Sequence, residues 1–149
     1  MSSSPFRQRP DLARINAAVA PTTLMGALGI ELIELGDDFL RGRMPVDART
    51  RQPYGLLHGG ASVALAETLG SFAGGLCVDD GRVVGIEINA NHLRGVTDGW
   101  VIGTARPLHL GRSTQVWEIR ITDEQERLVC VSRLTLAVVP GRGGPPAGH

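Results

Sequence analysis

Apolar and polar residues alternate along six segments of the chain, as expected for strands with one buried and one solvent-facing side. The segments are residues 29–35, 39–46, 82–91, 99–108, 113–122 and 127–139. In the second, Leu40 and Met44 fall on one face and Arg41 on the other. The turn at residues 36–38 contains Gly and Asp, which favour turns. The pattern predicts an antiparallel sheet of about six strands.

The third segment, residues 82–91, predicts one apolar and one mixed face. The apolar face is predicted to hold Val84, Ile86, Ile88 and Ala90. The opposite face would then hold Val83, Glu87 and Asn89.

Two segments have the period of a helix. Residues 11–20 predict a short amphipathic helix that ends before Pro21. Residues 59–77 predict one long helix, and its large residues fall on one side: Leu65, Leu69, Phe72 and Leu76. A sheet must bury its apolar face, and this helix is the only other long element. We therefore predict an α+β fold in which a curved antiparallel sheet wraps around one long central helix.

The length of 149 residues fits one domain. We predict an N-terminal segment with a short helix over residues 1–24 and the main domain over residues 25–139. The remaining residues, 140–149, are rich in Gly and Pro and are predicted to form a disordered tail.

Glu67 is the one charged residue of the long predicted helix. Its side of the helix carries mostly small residues: Gly60, Val63, Ala64, Gly70, Ser71 and Gly74. A glycine inside a helix costs up to about 1 kcal/mol relative to alanine. The glycines therefore suggest that a second subunit, a substrate or both approach this face closely. A half-buried carboxylate there is a candidate base or nucleophile; the alternative is an exposed glutamate without a function.

The start of the long helix, His58-Gly59-Gly60, offers a second candidate feature. The first turn of a helix has free N–H groups and a partial positive charge, which can stabilise a developing oxyanion. His58 by itself is equally well explained as a capping or packing residue.

Composition excludes several other classes of protein. Fifteen basic and fifteen acidic residues leave no net charge, which argues against nucleic-acid binding. Two cysteines cannot form a disulfide framework, and no metal-site spacing occurs. No Gly-x-Ser-x-Gly motif is present. The N-terminus is no ordinary signal peptide and no apolar run could span a membrane, so we expect a soluble, cytoplasmic protein without a cofactor.

Several separated blocks of the sequence resemble one known family. They are Gln-Pro-Tyr-Gly-Leu-Leu-His-Gly-Gly-Ala-Ser-Val-Ala-Leu-Ala-Glu at 52–67, Val-Gly-Ile-Glu-Ile-Asn-Ala-Asn-His at 84–92, Pro-Leu-His-Leu-Gly at 107–111 and Gln-Val-Trp at 115–117. These blocks resemble the hotdog-fold acyl-CoA thioesterases of the PaaI-like superfamily. That group includes the 1,4-dihydroxy-2-naphthoyl-CoA thioesterases and the Arthrobacter-type 4-hydroxybenzoyl-CoA thioesterases.

The resemblance implies catalytic roles for five residues. Glu67 corresponds to the carboxylate that attacks the thioester carbonyl or activates water. The N–H of Gly59 would form the oxyanion hole, and Gln52 and His58 would orient or polarise the carbonyl. Ser71 would help to place the water or the carboxylate.

The resemblance also implies residues that hold the CoA portion of the substrate. They are Gly85, His92, Leu93, Arg94, Gly95, His109, Leu110, Gly111, Arg112, Ser113 and Thr114. Arg94 and Arg112 suit the CoA phosphates chemically, although either could equally be a plain surface charge. The loop near residues 79–81 and the pair Ser113-Thr114 depart from the family pattern.

The resemblance implies a dimer in which two sheets join and each active site uses both subunits, and a tetramer built from two such dimers. The expected function is hydrolysis of an aromatic or related acyl-CoA to the free acid and CoA. Two alternatives remain at this point: a non-catalytic acyl-CoA-binding or sensing protein, and another chemistry on the same fold, such as dehydration.

Overall fold

The structure, a computed structural model, describes residues 3–141 of the chain, and the predicted tail lies almost entirely outside them. The helices are α1 (Leu12–Val19), α2 (Leu24–Leu28) and α3 (Gly59–Leu76). The strands are β1 (Glu31–Leu35), β2 (Leu40–Pro45), β3 (Gly81–His92), β4 (Trp100–Leu110), β5 (Thr114–Thr122) and β6 (Leu128–Pro140). The predicted order of two strands, one long helix and four strands is confirmed.

The six strands form one antiparallel sheet in the order β1-β2-β4-β5-β6-β3. Helix α3 packs against five of them, β2 to β6. The core between helix and sheet contains large residues that are fully buried, among them Leu65, Leu69, Trp117, Ile119 and Leu134. The predicted α+β hotdog fold, a sheet wrapped around one long helix, is confirmed.

Two glycines in the sheet allow α3 to lie close to it. Gly42 of β2 and Gly103 of β4 are paired across the strands. A Cβ atom added to either glycine would lie 2.6 Å from a methyl carbon of Leu69. Leu69 therefore fills the space that two side chains would occupy. Phe72, which we predicted on the same side of the helix, is only half-buried at the edge of the core.

Within residues 3–141, no helix is long and apolar enough to cross a membrane.

Helix α2 was not predicted from the sequence. It follows a short 3-10 turn over Ala20–Thr22 and is capped after Leu28 by Gly29, which has a φ of 73°. This left-handed conformation suits glycine, which often ends helices in this way. Strand β1 therefore begins at Glu31, after the cap, and not at residue 29 as predicted.

The prediction that Val84 and Ile86 share one face of β3 with Ile88 and Ala90 is wrong, because the strand contains a bulge. Its register with β6 shifts between Gly85 and Glu87, and one extra residue reverses the inward and outward positions beyond it. Ile88 lies against the core together with Val83, whereas Ile86 is 59% exposed. Strand β3 is also an edge of the sheet, so one side of its backbone has no neighbouring strand among residues 3–141.

Candidate active site

The start of α3 leaves one backbone N–H free. His58 is the N-cap residue, and its Nδ1 accepts a hydrogen bond of 2.8 Å from the Gly60 N–H. The N–H groups of Ala61 and Ser62 donate to the His58 carbonyl oxygen. Among residues 3–141, the Gly59 N–H has no acceptor. The capping role considered for His58 is thus present, and it leaves the Gly59 N–H available to an oxyanion.

A cavity of about 400 Å³ opens in front of this helix start, and we call it the donor cavity. Its lining residues are Gln52, Leu56, Leu57, Gly59, Ser62, His92, Leu93, Arg94, Gly95 and Val129. The His92 ring packs closely against Gly59: a Cβ atom added to that glycine would lie 2.8 Å from His92 Nε2. The fold therefore brings two predicted catalytic residues, Gln52 and Gly59, together with residues 92–95.

Gln52 lies in this cavity, and the oxygen of its side-chain amide already has a hydrogen-bond partner. Its Oε1 accepts a hydrogen bond from the Tyr54 N–H in the loop before α3. Its NH₂ group has no acceptor among residues 3–141. The side chain is therefore oriented by its oxygen and can donate from its nitrogen to a carbonyl oxygen of a ligand.

A second cavity, of about 550 Å³, lies along the side of α3, and we call it the carboxylate cavity. Its lining residues are Val19, Thr23, Leu24, Met25, Gly60, Val63, Ala64, Glu67, Thr68, Ser71 and Phe72. Glu67 is half-buried there, with neither a hydrogen-bond partner nor an ion pair within residues 3–141. A carboxylate without a partner in a mostly apolar cavity has its oxygens available for chemistry.

One wall of the carboxylate cavity was missed by the sequence analysis. Val19, Thr23, Leu24 and Met25 come from α1, α2 and the turn between them. We had placed residues 1–24 outside the main domain. The apolar pair Leu24-Met25, which begins three residues after Pro21, was the available signal, because a loop has little reason to carry two large apolar residues.

The interpretation of the glycines beside Glu67 is partly wrong. Gly70 and Gly74 are buried against the sheet of the same chain and do not face a ligand. A Cβ atom added to either would lie 2.5 Å from a leucine methyl carbon, of Leu134 and Leu136 respectively. The sheet therefore wraps further around α3 than a helical wheel indicates. Gly60 does line the carboxylate cavity, as expected.

Glu67 and Gly59 of one chain are too far apart to act on the same carbonyl group. They are eight residues apart in one helix, which corresponds to about 12 Å along the axis. A glutamate side chain leans toward the helix N-terminus but spans only about a third of that distance. One chain therefore holds two separate half-sites, a carboxylate and a set of hydrogen-bond donors.

The predicted CoA-binding segment 109–114 lies at the other end of α3. Leu110, Gly111 and Arg112 line a cavity of about 540 Å³ that also contains Cys77. The Gly111 N–H donates to the Thr114 carbonyl oxygen at 2.8 Å in the β4–β5 hairpin. His109 and Ser113 of the same hairpin are exposed. One chain thus does not bring residues 109–114 together with residues 92–95.

The surroundings of three further residues predicted to hold CoA bear on that role. Arg94 is exposed and has no ion pair within residues 3–141, and the same holds for Arg112. Gly85 lies against Glu67 and not in the donor cavity.

Cys77 carries a potentially nucleophilic thiol, but it lies outside the two cavities that contain Glu67 and Gly59. Burial raises the pKa of its thiol to about 11, and its Sγ lies 3.3 Å from the Ala73 carbonyl oxygen. Because the thiolate is the reactive form, we expect folded protein to react very slowly with iodoacetamide at pH 7.5 and faster as the pH approaches 11. Mass spectrometry of labelled peptides measures the rate, and unfolded protein is the control. Rapid labelling of Cys77 at pH 7.5 would contradict the assigned burial.

Comparison with known proteins gives one consistent group. Residues 54–130 match the family model described as the thioesterase superfamily. The chain is 60% identical over 135 residues to the proofreading thioesterase EntH of Cronobacter turicensis, with 90% of this chain and 98% of the relative covered. It is 51% identical over 135 residues to the 1,4-dihydroxy-2-naphthoyl-CoA hydrolase of Escherichia coli, with the same coverage.

A solved structure has the same fold. The crystal structure of a thioesterase from Haemophilus influenzae superposes with a TM-score of 0.89 at 49% sequence identity, covering 93% of this chain and 96% of that one. The similarity therefore includes α1 and α2, which precede the residues matched by the family model.

Proposed function

Because the chain belongs to the thioesterase superfamily and is a thioester hydrolase, we propose that it hydrolyses an aromatic acyl-CoA and that Glu67 carries the reaction. The observation that supports this most directly is the Glu67 carboxylate itself, half-buried in an apolar cavity and without a partner in the described chain. A non-catalytic acyl-CoA sensor would have no use for such a group.

In the proposed reaction, an oxygen atom bonds to the thioester carbonyl carbon and the C–S bond breaks. The oxygen comes either from water deprotonated by Glu67 or from the Glu67 carboxylate itself, whose mixed anhydride water then hydrolyses. The acyl group leaves as the free acid, and the CoA sulfur leaves with a proton as the thiol. The Ser71 hydroxyl, one turn after Glu67 in the same cavity, is positioned to hold the water.

The proposal requires two subunits for each active site. Gly59 and Gln52 of one subunit would bind the carbonyl oxygen, and Glu67 of the other subunit would act on the carbon. The distance of about 12 Å within one helix favours this arrangement over a site in one chain. Strand β3 supplies a suitable surface, since one side of it has no neighbouring strand among residues 3–141 and Ile86 is 59% and Val84 43% exposed. We extend the proposal to the dimer of dimers that the family resemblance implies.

The carboxylate cavity supports an aromatic acyl group. Its wall contains Phe72, Val63, Leu24 and Met25, which offer broad apolar surfaces to a flat ring. One of the two named relatives supports the same substrate class, because its name describes a hydrolase of 1,4-dihydroxy-2-naphthoyl-CoA. We assign the CoA phosphates to Arg94 and Arg112, which are the arginines of the two predicted CoA-binding segments and are exposed, with no ion pair in the described part of the chain.

A substrate panel tests the proposed substrate class. We expect kcat/KM for 1,4-dihydroxy-2-naphthoyl-CoA and benzoyl-CoA to exceed that for a medium-chain acyl-CoA by at least roughly tenfold, since a rigid ring fits the cavity with less loss of rotamer freedom. Release of the CoA thiol, followed with a chromogenic disulfide, measures the rates. Equal or higher kcat/KM for the aliphatic thioester would contradict the aromatic assignment. Binding without thiol release for every thioester would favour the sensor.

A further inference from the structure

Gly85, in the edge strand β3, lies directly against the carboxylate of Glu67. A Cβ atom added to Gly85 would lie 2.6 Å from Glu67 Oε2 and 3.5 Å from Glu67 Cδ. The next atom it would meet, Leu134 Cδ1, is at 3.7 Å, which is an ordinary contact. The carboxylate is therefore the only group that a methyl at this position would displace.

The backbone does not explain why residue 85 is glycine. Among residues 3–141, the glycines with positive φ are Gly29, Gly55 and Gly99, so Gly85 has a conformation open to any residue. Glycine in a strand interior weakens the strand and commonly marks a bulge or a close approach. A bulge follows between Gly85 and Glu87, but without positive φ it does not require glycine. The close approach of Glu67 is the remaining reason.

We propose that Gly85 is a positioning residue: because it has no side chain, the Glu67 carboxylate can occupy its observed place in the cavity. This proposal rests on the proposed function, in which Glu67 acts on the thioester. This role differs from the contact with CoA that the family resemblance implies for Gly85.

An added methyl should move the carboxylate without damaging the fold. Relief of the contact, from 2.6 Å to the 3.4 Å at which ordinary contact begins, requires a shift of roughly 1 Å. The displaced group is the end of a flexible, half-buried side chain, so the shift costs the fold little. A shift of about 1 Å in a reacting group can lower a rate on the order of 10²-fold.

The first test is Gly85→Ala in the full-length enzyme, with its crystal structure and its kinetics. We expect kcat to fall on the order of 10²-fold and KM to stay within about threefold, because binding of CoA does not depend on the carboxylate. We expect the melting temperature to stay close to that of the wild type and the Glu67 carboxylate to move by roughly 1 Å. A raised KM with unchanged kcat would instead show a CoA contact and overturn the proposal.

The second test asks whether the effect of Gly85→Ala on kcat depends on the length of the side chain at position 67. Glu67→Asp alone should lower kcat, because it withdraws the carboxylate by one methylene. In that background Gly85→Ala should cost less than about threefold, since the shorter side chain no longer meets the methyl. Equal effects of Gly85→Ala in both backgrounds would overturn the proposal.

Gly103→Ala is the matched control for simple steric damage. Its added Cβ would also lie 2.6 Å from a side chain, but that side chain is the core residue Leu69. We expect a lower melting temperature and an unchanged kcat per folded enzyme.

The outcomes separate this proposal from the proposed function. An unmoved carboxylate in the Gly85→Ala crystal structure overturns the positioning role alone. A full rate in Gly85→Ala together with an inactive Glu67→Ala does the same. A full rate in both variants overturns the role of Glu67 itself.

Discussion

Replacing Glu67 by alanine is expected to lower kcat for acyl-CoA hydrolysis by at least roughly three orders of magnitude. The change removes the carboxylate that, in the proposed reaction, attacks the carbonyl carbon or deprotonates water. The fold should persist, because Glu67 has no hydrogen bond or ion pair to lose within residues 3–141 and alanine favours helices. Steady-state kinetics together with a thermal melt check both parts of this result.

Two further variants make the Glu67 result specific. Glu67→Gln keeps the size of the side chain and removes its charge, so we expect a loss of similar order. Glu118→Gln is the control, since Glu118 lies on the opposite side of the sheet and pairs with Arg120. We expect it to keep nearly the full rate. A Glu67→Ala enzyme that keeps more than about a tenth of the wild-type kcat would contradict a role in the chemical step.

Much of the fold follows from local patterns in the sequence. The alternating segments and the one long helical segment predict the element order correctly, because a residue's burial in a sheet or helix repeats with a fixed period. The bulge after Gly85 breaks this rule: one extra residue reverses the faces of β3, and nothing in the alternation of 82–91 marks its place. Helix α2 is only five residues long, too short for a periodic signal.

The sequence allowed us to predict which residues belong to the candidate site better than how they are arranged in space. Glu67 was identified because a lone charge among small residues is unusual on a helix, and the structure places it in a cavity. The roles of Gly70 and Gly74 were misjudged, because a helical wheel does not show how far a curved sheet reaches around the helix. The contact between Gly85 and Glu67 joins residues from different elements, which no local pattern reveals.

The separation of the two half-sites has the largest consequence for function. A carboxylate and an oxyanion donor must meet within about 3 Å of one carbonyl group, and within one chain they are eight residues apart along a helix. We therefore expect an isolated subunit to be inactive, although it contains every proposed catalytic residue. Two different inactive subunits should then restore activity when combined.

Subunit mixing is the most direct measurement of this claim. Gln52→Ala removes a donor that lies in the donor cavity, and we expect a loss on the order of 10²-fold. Glu67→Gln removes the carboxylate. A mixed dimer of the two contains one site with both changes and one site with neither. When the variants are unfolded together and refolded at equal amounts, random pairing makes half of the dimers mixed, so about one quarter of the wild-type activity should return.

Each variant refolded alone is the control and should stay inactive. For the mixture, we expect recovery to about one quarter of the wild-type kcat per subunit. Activity that remains at the average of the two separate variants, although native mass spectrometry shows that mixed dimers have formed, would place Glu67 and Gln52 of one chain in the same site and contradict the account.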